Sequence, residues 1–169
     1  MIWRVCLSVL FLAAALRADG GAASLSDTFN AGKAEYANGN HDKAIELLHQ
    51  VIKKDPKNAE AYLWLGRALG RKAENSNFLR AAFLVGDIKK ALERAVELAP
   101  DDDDARGDLL DFYLDAPASM GGGVVRAQEQ ARIMARQKPG EGHWAAARIA
   151  EKQKDYRSEE RRVGKECRL

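Results

Sequence analysis

The sequence has few of the residues that staple, kink or anchor a chain. Only two of its 169 residues are cysteine, Cys6 and Cys167, near opposite ends. Neither a disulfide framework nor a cysteine-built metal cluster is expected from that placement. There are four prolines, and Pro56, Pro100 and Pro139 each stand between amphipathic stretches rather than inside one. No apolar run reaches the roughly 20 residues that a spanning helix needs. A dominant charge is missing too. The formal net charge is +2, and the last thirteen residues, five basic against three acidic, supply all of it. The balanced remainder excludes a field that would draw the chain to nucleic acid. What is present, 46% hydrophobic and 31% charged residues, is the composition of one globular domain with a continuous core.

One short apolar run opens the chain. Met1-Ile2-Trp3-Arg4 leads into a largely apolar stretch over residues 5–16, followed by small residues over 18–23. A positive start, an apolar run of about a dozen and small residues after it describe a secretory signal. Residues 1–23 are therefore expected to be an export signal cleaved near Ala18 or Ala23, and the protein to be periplasmic in a Gram-negative bacterium. Cys6 lies inside the run rather than after it, which argues against a lipid-anchor cysteine. An uncleaved leader would instead act as an anchor, with residues 78–85 against the membrane.

Over residues 25–156 strand signals are nearly absent and apolar positions recur at helical spacing. Amphipathic stretches at 43–52, 88–98 and 127–134 each end before one of the three prolines, which marks a repeated unit. The second unit has Tyr62, Leu65-Gly66 and Leu69, then Leu92, Ala95 and Pro100. The first has Gly32, the turn Asn38-Gly39-Asn40, then Ala44, Leu48 and Pro56, and the third has Leu109, Tyr113, Ala127 and Pro139. In these residues the chain resembles the tetratricopeptide repeat family. The resemblance implies an all-α superhelix of helix pairs, an α-solenoid, in a domain spanning residues 24–156. Three repeats would cover about 25–58, 59–102 and 103–140, with a partial fourth over 141–156. Two positions depart from the pattern: Thr28 stands where a large aromatic is usual, and Leu110 where a glycine is usual.

The spacing departs as well. Pro56 and Pro100 are 44 residues apart and Pro100 and Pro139 are 39 apart, against about 34 for a regular unit. The first excess predicts a second helix lengthened at its start, capped within Asn75-Ser76-Asn77, with one apolar face running through 78, 82, 85, 88 and 92. The second predicts a loop over residues 116–123. A seventh helix over 142–154, anchored by Trp144 and Ile149, would close the stack.

Residues that could carry chemistry mostly have structural readings. Asp101 to Asp104 precede a helix, where the dipole and free amides favour acids, rather than wrapping a calcium ion. Arg106-Gly107-Asp108 falls within a helix. Gly121-Gly122-Gly123 follows no strand and has no lysine beside it, so it reads as a loop rather than a phosphate cradle. His41, His49 and His143 are scattered without ligand spacing, and no serine has a nucleophile-elbow context. No catalysis, metal or cofactor is expected.

The resemblance implies a concave face built from first helices, which binds a protein or peptide partner. It would present Phe29, Lys33 and Tyr36, then Leu63, Arg67, Gly70 and Arg71, then Asp111, Leu114 and Asp115. Lys33, Arg67 and Arg71 read as one basic strip beside an acidic end, serving recognition rather than stability. Phe29 and Leu63 stand where two polar residues of the family's carboxylate clamp would be, so chaperone-tail binding is not implied. The expected function is an exported interaction scaffold; the alternative is a docking arm of a truncated larger enzyme or envelope-assembly factor. Residues 157–169 resemble a translated sequencing adapter and read as a non-native tail, with the seventh helix ending near Tyr156. Val163 and Leu169 offer too little apolar surface to dock a further helix, and the natural protein is expected to continue with more repeat.

Overall fold

The computed structural model of the chain describes residues 24–166. The leader over 1–23, with Cys6, and Cys167 near the other end lie outside the described residues. Seven helices follow one another: α1 (Leu25–Ala37), α2 (His41–Lys54), α3 (Ala59–Glu74), α4 (Phe78–Leu98), α5 (Asp103–Asp115), α6 (Val124–Gln137) and α7 (Pro139–Glu166). A single 3-10 turn, Ala118–Met120, lies between α5 and α6, and no strand occurs among the described residues. Each helix packs chiefly on its neighbours in sequence, giving the pairs α1/α2, α3/α4 and α5/α6, with α7 against α6 and α5. The fold is an all-α helical repeat.

Local chemistry sets the ends. Ser24 and Asp27 form a capping box at α1, the Ser24 hydroxyl accepting from the Asp27 amide at 3.0 Å. Asn58, Asn77 and Asp102 cap α3, α4 and α5 by accepting from Ala61, Arg80 and Ala105 amides at 2.9, 3.0 and 3.1 Å. Asp103 and Asp104 then fill the first turn of α5, so the aspartate run starts a helix. The helices α2, α4 and α6 stop at Lys54, Leu98 and Gln137, each two residues ahead of a proline, because proline cannot continue them. Pro139 then opens α7, where its missing N–H costs nothing.

Within a pair, a small residue meets a large one. A Cβ on Gly32 would lie 3.3 Å from Leu48 Cγ, and one on Gly66 would lie 2.6 Å from Leu92 Cδ2. The third pair inverts the sizes. Leu110 is fully buried where the other units have glycine, and Ala131 stands eight residues before Pro139, as Leu48 and Leu92 do before Pro56 and Pro100. The bulk has moved from the second helix to the first, which lets the pair close without a glycine.

Three expectations need correction. The lengthened start of α4 is present, but its apolar face is buried only from Ile88 onward. Phe78, Leu79 and Phe83 are 79, 69 and 83% exposed, because the flanking helices are too short to reach beside them. Next, α7 runs on to Glu166 instead of ending near Tyr156. Residues 155–163 contain neither proline nor glycine and are rich in Glu and Arg, whose propensity favours continuing the helix. Finally, Trp144 is 42% exposed, its ring lying over Gly107, while Ala145 and Ile149 are the buried anchors of α7.

The two glycines of α3 should answer alanine oppositely. Gly66→Ala pushes a methyl into Leu92 and should cost about 1–3 kcal/mol, whereas Gly70→Ala meets nothing within 4 Å and should gain about 0.5–1 kcal/mol from helix propensity. Urea denaturation measures both, and equal signs would refute the close α3–α4 approach. Leu92→Ala, in the same core, should cost about 2–5 kcal/mol by the same measurement.

Candidate functional site

Because Gly66 brings α3 hard against α4, α3 and α5 scarcely touch. A groove of about 500 Å³ opens between them. Val85, Ile88 and Leu92 of α4 form its floor with Phe112, and Gly70 contributes open space in place of a side chain. Arg67, Arg71 and Glu74 line it from α3, and Asp108, Asp111 and Asp115 from α5. The family-like concave face is thus a cleft with an apolar bottom and charged sides.

Those charges are interlocked. On α5 the residues Asp104, Asp108, Asp111 and Asp115 are spaced four, three and four apart, which puts them on one helix face. Cations from both neighbours clamp that stripe. Arg67 Nε donates to Asp108 and Nη2 lies 3.5 Å from Asp104. From the other side Arg148 reaches Asp111 through Nη2 and Nε at 2.9 and 3.1 Å, and Lys152 Nζ reaches Asp115 at 2.8 Å. At the first junction Lys33 Nζ meets Glu60 at 3.1 Å and stands 5.2 and 5.0 Å from the Phe29 and Trp64 ring centres. The Arg67 guanidinium lies 5.2 Å from the same Trp64 ring. Tyr36 meets Trp64 edge-on at 5.3 Å between centroids and lines the groove.

This arrangement revises the expected site. Phe29, Lys33, Tyr36, Arg67, Arg71, Asp111 and Asp115 do lie on first helices, on the side facing the neighbouring first helix or the groove. The basic strip, however, is not uncompensated: Lys33 pairs with Glu60, Arg67 with Asp108, and Arg71 with Glu74 at 2.9 Å. Charge reversal at Arg67 would set it against Asp104 and Asp108, so stability depends on it as well as recognition. Leu63 is 3% exposed and belongs to the core with Leu114. The reason is that α3 is wedged between α2 and α4 and buries more than one stripe. Trp64, next to Leu63, is the side chain that reaches the first-helix face. Its signal was the spacing of three from Arg67, which places both on one side of a helix. Asp108 and Phe112 also belong to the groove, and Asp108 could have been found from its spacing to Asp111 and Asp115.

Burial raises the Asp108 pKa, against the hydrogen bond and charge of Arg67; Asp104 and Asp111 add to the rise. Burial alone would lower Arg67, but Asp108 and Asp104 outweigh it and hold the guanidinium above its ordinary value. Elsewhere, the internal tripeptide is part of the packing. Arg106 is buried and donates to the Pro100 carbonyl at 2.7 Å and to Gln130 Oε1 at 3.0 Å. In the glycine loop, the Gly123 amide donates to the Tyr113 carbonyl at 2.7 Å. A Cβ on Gly122 would fall 1.8 Å from the Ala116 carbonyl oxygen, so the loop is tightly built. Tyr113 donates to Glu93 at 2.9 Å, and burial followed by that carboxylate pushes its pKa up to about 12. Among the described residues no group of three His, Cys, Asp or Glu could hold a metal ion.

The Asp108 shift has a measurable sign. A carboxyl whose folded pKa lies above its unfolded value near 3.9 is protonated first in the folded protein as pH falls. Its ionised form opposes folding above that range, and the opposition disappears below it. Between pH 7 and pH 4 the thermal midpoint of the wild type should therefore gain on that of Asp108→Asn. A gap that stays constant with pH would show that the carboxyl is not buried in this way.

A family model described as TPR repeat matches residues 32–72, from the glycine seated on Leu48 through most of α3. No curated protein matches the chain. That match lies on the first three helices of the stack, so the chain carries a TPR repeat over residues 32–72 within an all-α helical repeat fold.

Proposed function

We propose that the chain is an exported interaction scaffold, without catalysis, that takes up a segment of a partner protein in the groove between α3 and α5. Tetratricopeptide repeats are protein-interaction modules that present a concave surface. The observation that carries the reading is the open space at Gly70, above an apolar floor of Val85, Ile88 and Leu92. A partner segment can place aliphatic side chains on that floor. The lining has two cations, Arg67 and Arg71, against Glu74, Asp108, Asp111 and Asp115. A segment that follows its aliphatic residues with a lysine or arginine therefore suits the groove best. Export rests on the pattern of residues 1–23. The absence of catalysis rests on the charged groups of the groove, which are tied to one another as counter-ions between helices.

A side chain added at Gly70 tests the groove with little risk to the fold, since nothing lies within 4 Å of its Cβ position. Peptides would be selected from a displayed random library against the purified chain and then measured against Gly70→Trp. The expected result is enrichment of aliphatic and basic residues, and a loss of at least about tenfold in affinity for Gly70→Trp at an unchanged thermal midpoint. Selected peptides that bind both proteins equally would place recognition elsewhere.

A further inference from the structure

Among the described residues, five large apolar side chains are exposed, and the four most exposed, Phe78, Leu79, Phe83 and Val125, lie in the first two turns of α4 and the first turn of α6. That is the end of the stack where the first helix of each pair turns into the second. Two of the three turns there are almost without charge, while the α1–α2 turn carries Glu35, Asp42 and Lys43. Residues 75–86 hold only Arg80, and residues 116–125 hold none. The two turns adjoin: Val85 and Pro117 line the same groove, and a Cβ on Gly121 would lie 3.1 Å from the Lys89 side chain of α4. The first ten residues of α4 contribute nothing to the fully buried core, so Phe78, Leu79 and Phe83 project past it as a tip.

We propose that this edge docks on an anionic lipid surface, with Phe78, Leu79 and Phe83 entering the interfacial layer and Arg80 and Arg126 meeting lipid phosphates. The inference goes beyond the groove and does not depend on it. Two features favour lipid over a second copy of the chain. The tip offers on the order of 400 Å² of apolar surface, about half of what one partner contributes to a standard interface. A bilayer asks for no matching shape and accepts a small projecting wedge. The charges also complement an anionic surface. Arg80, Lys89 and Arg126 border the apolar residues, and α4 and α6 direct their amino ends, with partial positive charge, toward the same edge. Gly123 gives α6 no side-chain cap, and of the first three amides only that of Arg126 finds a backbone acceptor, the Gly123 carbonyl at 3.0 Å. Asp42 acts on Arg80 from the neighbouring turn, and Glu93 lies 3.6 Å from Lys89. The attraction is therefore moderate, and apolar insertion and charge act together. Among the described residues no helix is long and apolar enough to cross a membrane, so the contact is a surface one.

The leader over residues 1–23 is itself apolar, so the measurement must report from the tip. In the full chain, Phe83→Trp adds a fluorophore there to Trp3, Trp64 and Trp144. Vesicles containing phosphatidylglycerol with brominated acyl chains should quench it beyond the parent's own quenching, and phosphatidylcholine vesicles should do so much less. Adding Phe78→Ser and Leu79→Ser should weaken vesicle binding at least about tenfold, at an unchanged thermal midpoint. Vesicle binding without extra quenching at position 83, or equal binding by the serine variant, would overturn the proposal. So would a concentration-dependent dimer in sedimentation that the serine substitutions abolish, which would give the edge to a second copy.

Discussion

At Gly66 the backbone of α3 lies so close to Leu92 that not even a methyl fits between them. This contact fixes the separation of the central helix pair, and the rest of the stack takes its spacing from it. A helix with one apolar side cannot stand alone, since most of its stability comes from the face it buries. Drawn against α4, α3 commits that face fully, and little is left to hold α5 directly. The opening between first helices is thus a consequence of tight packing inside a pair. A bulkier residue at 66 would push α3 out and alter the cleft at the same time as the core.

What spans the opening is charge. Arg67 bridges from α3 to Asp104 and Asp108, and Arg148 and Lys152 reach the other half of the same α5 stripe. Individually such half-exposed pairs add little stability. Their contribution is to order. From α3 onward the sign of the facing first helices alternates, with α3 basic toward an acidic α5 and α5 acidic toward a basic α7. Shifting a unit by one place would bring like charges together, which disfavours a misregistered stack. The raised pKa of Asp108 is the cost of placing one of these charges partly out of water.

Much of this architecture was legible in the sequence, for identifiable reasons. Prolines at 56, 100 and 139 with helical periodicity between them mark helix ends and faces, and both are local signals. The glycine loop and the caps at Asn77 and Asp102 are local too. The failures share a different cause. The apolar series through 78, 82 and 85 looks the same whether or not a neighbour exists to cover it, so Phe78 reads as core and is exposed. Leu63 and Trp64 trade places because a helix wedged between two others buries more than half its circumference, which a single stripe does not reveal. The ion pairs could not be read either, since a charge on a first helix gives no sign of its partner some 37 residues away. The swap of Leu110 and Ala131 is visible only when both are counted from their prolines.

The reach of these contacts also bears on how the chain finds its fold. The longest hydrogen bond recorded among the described residues, Arg67 to Asp108, spans 41 residues, and each helix packs chiefly on the next one along. Such a molecule has low contact order: every closure is short, and a completed pair is already a template for the following helix. Folding can therefore begin at any pair and spread in either direction, in the manner of a zipper rather than of a single global collapse.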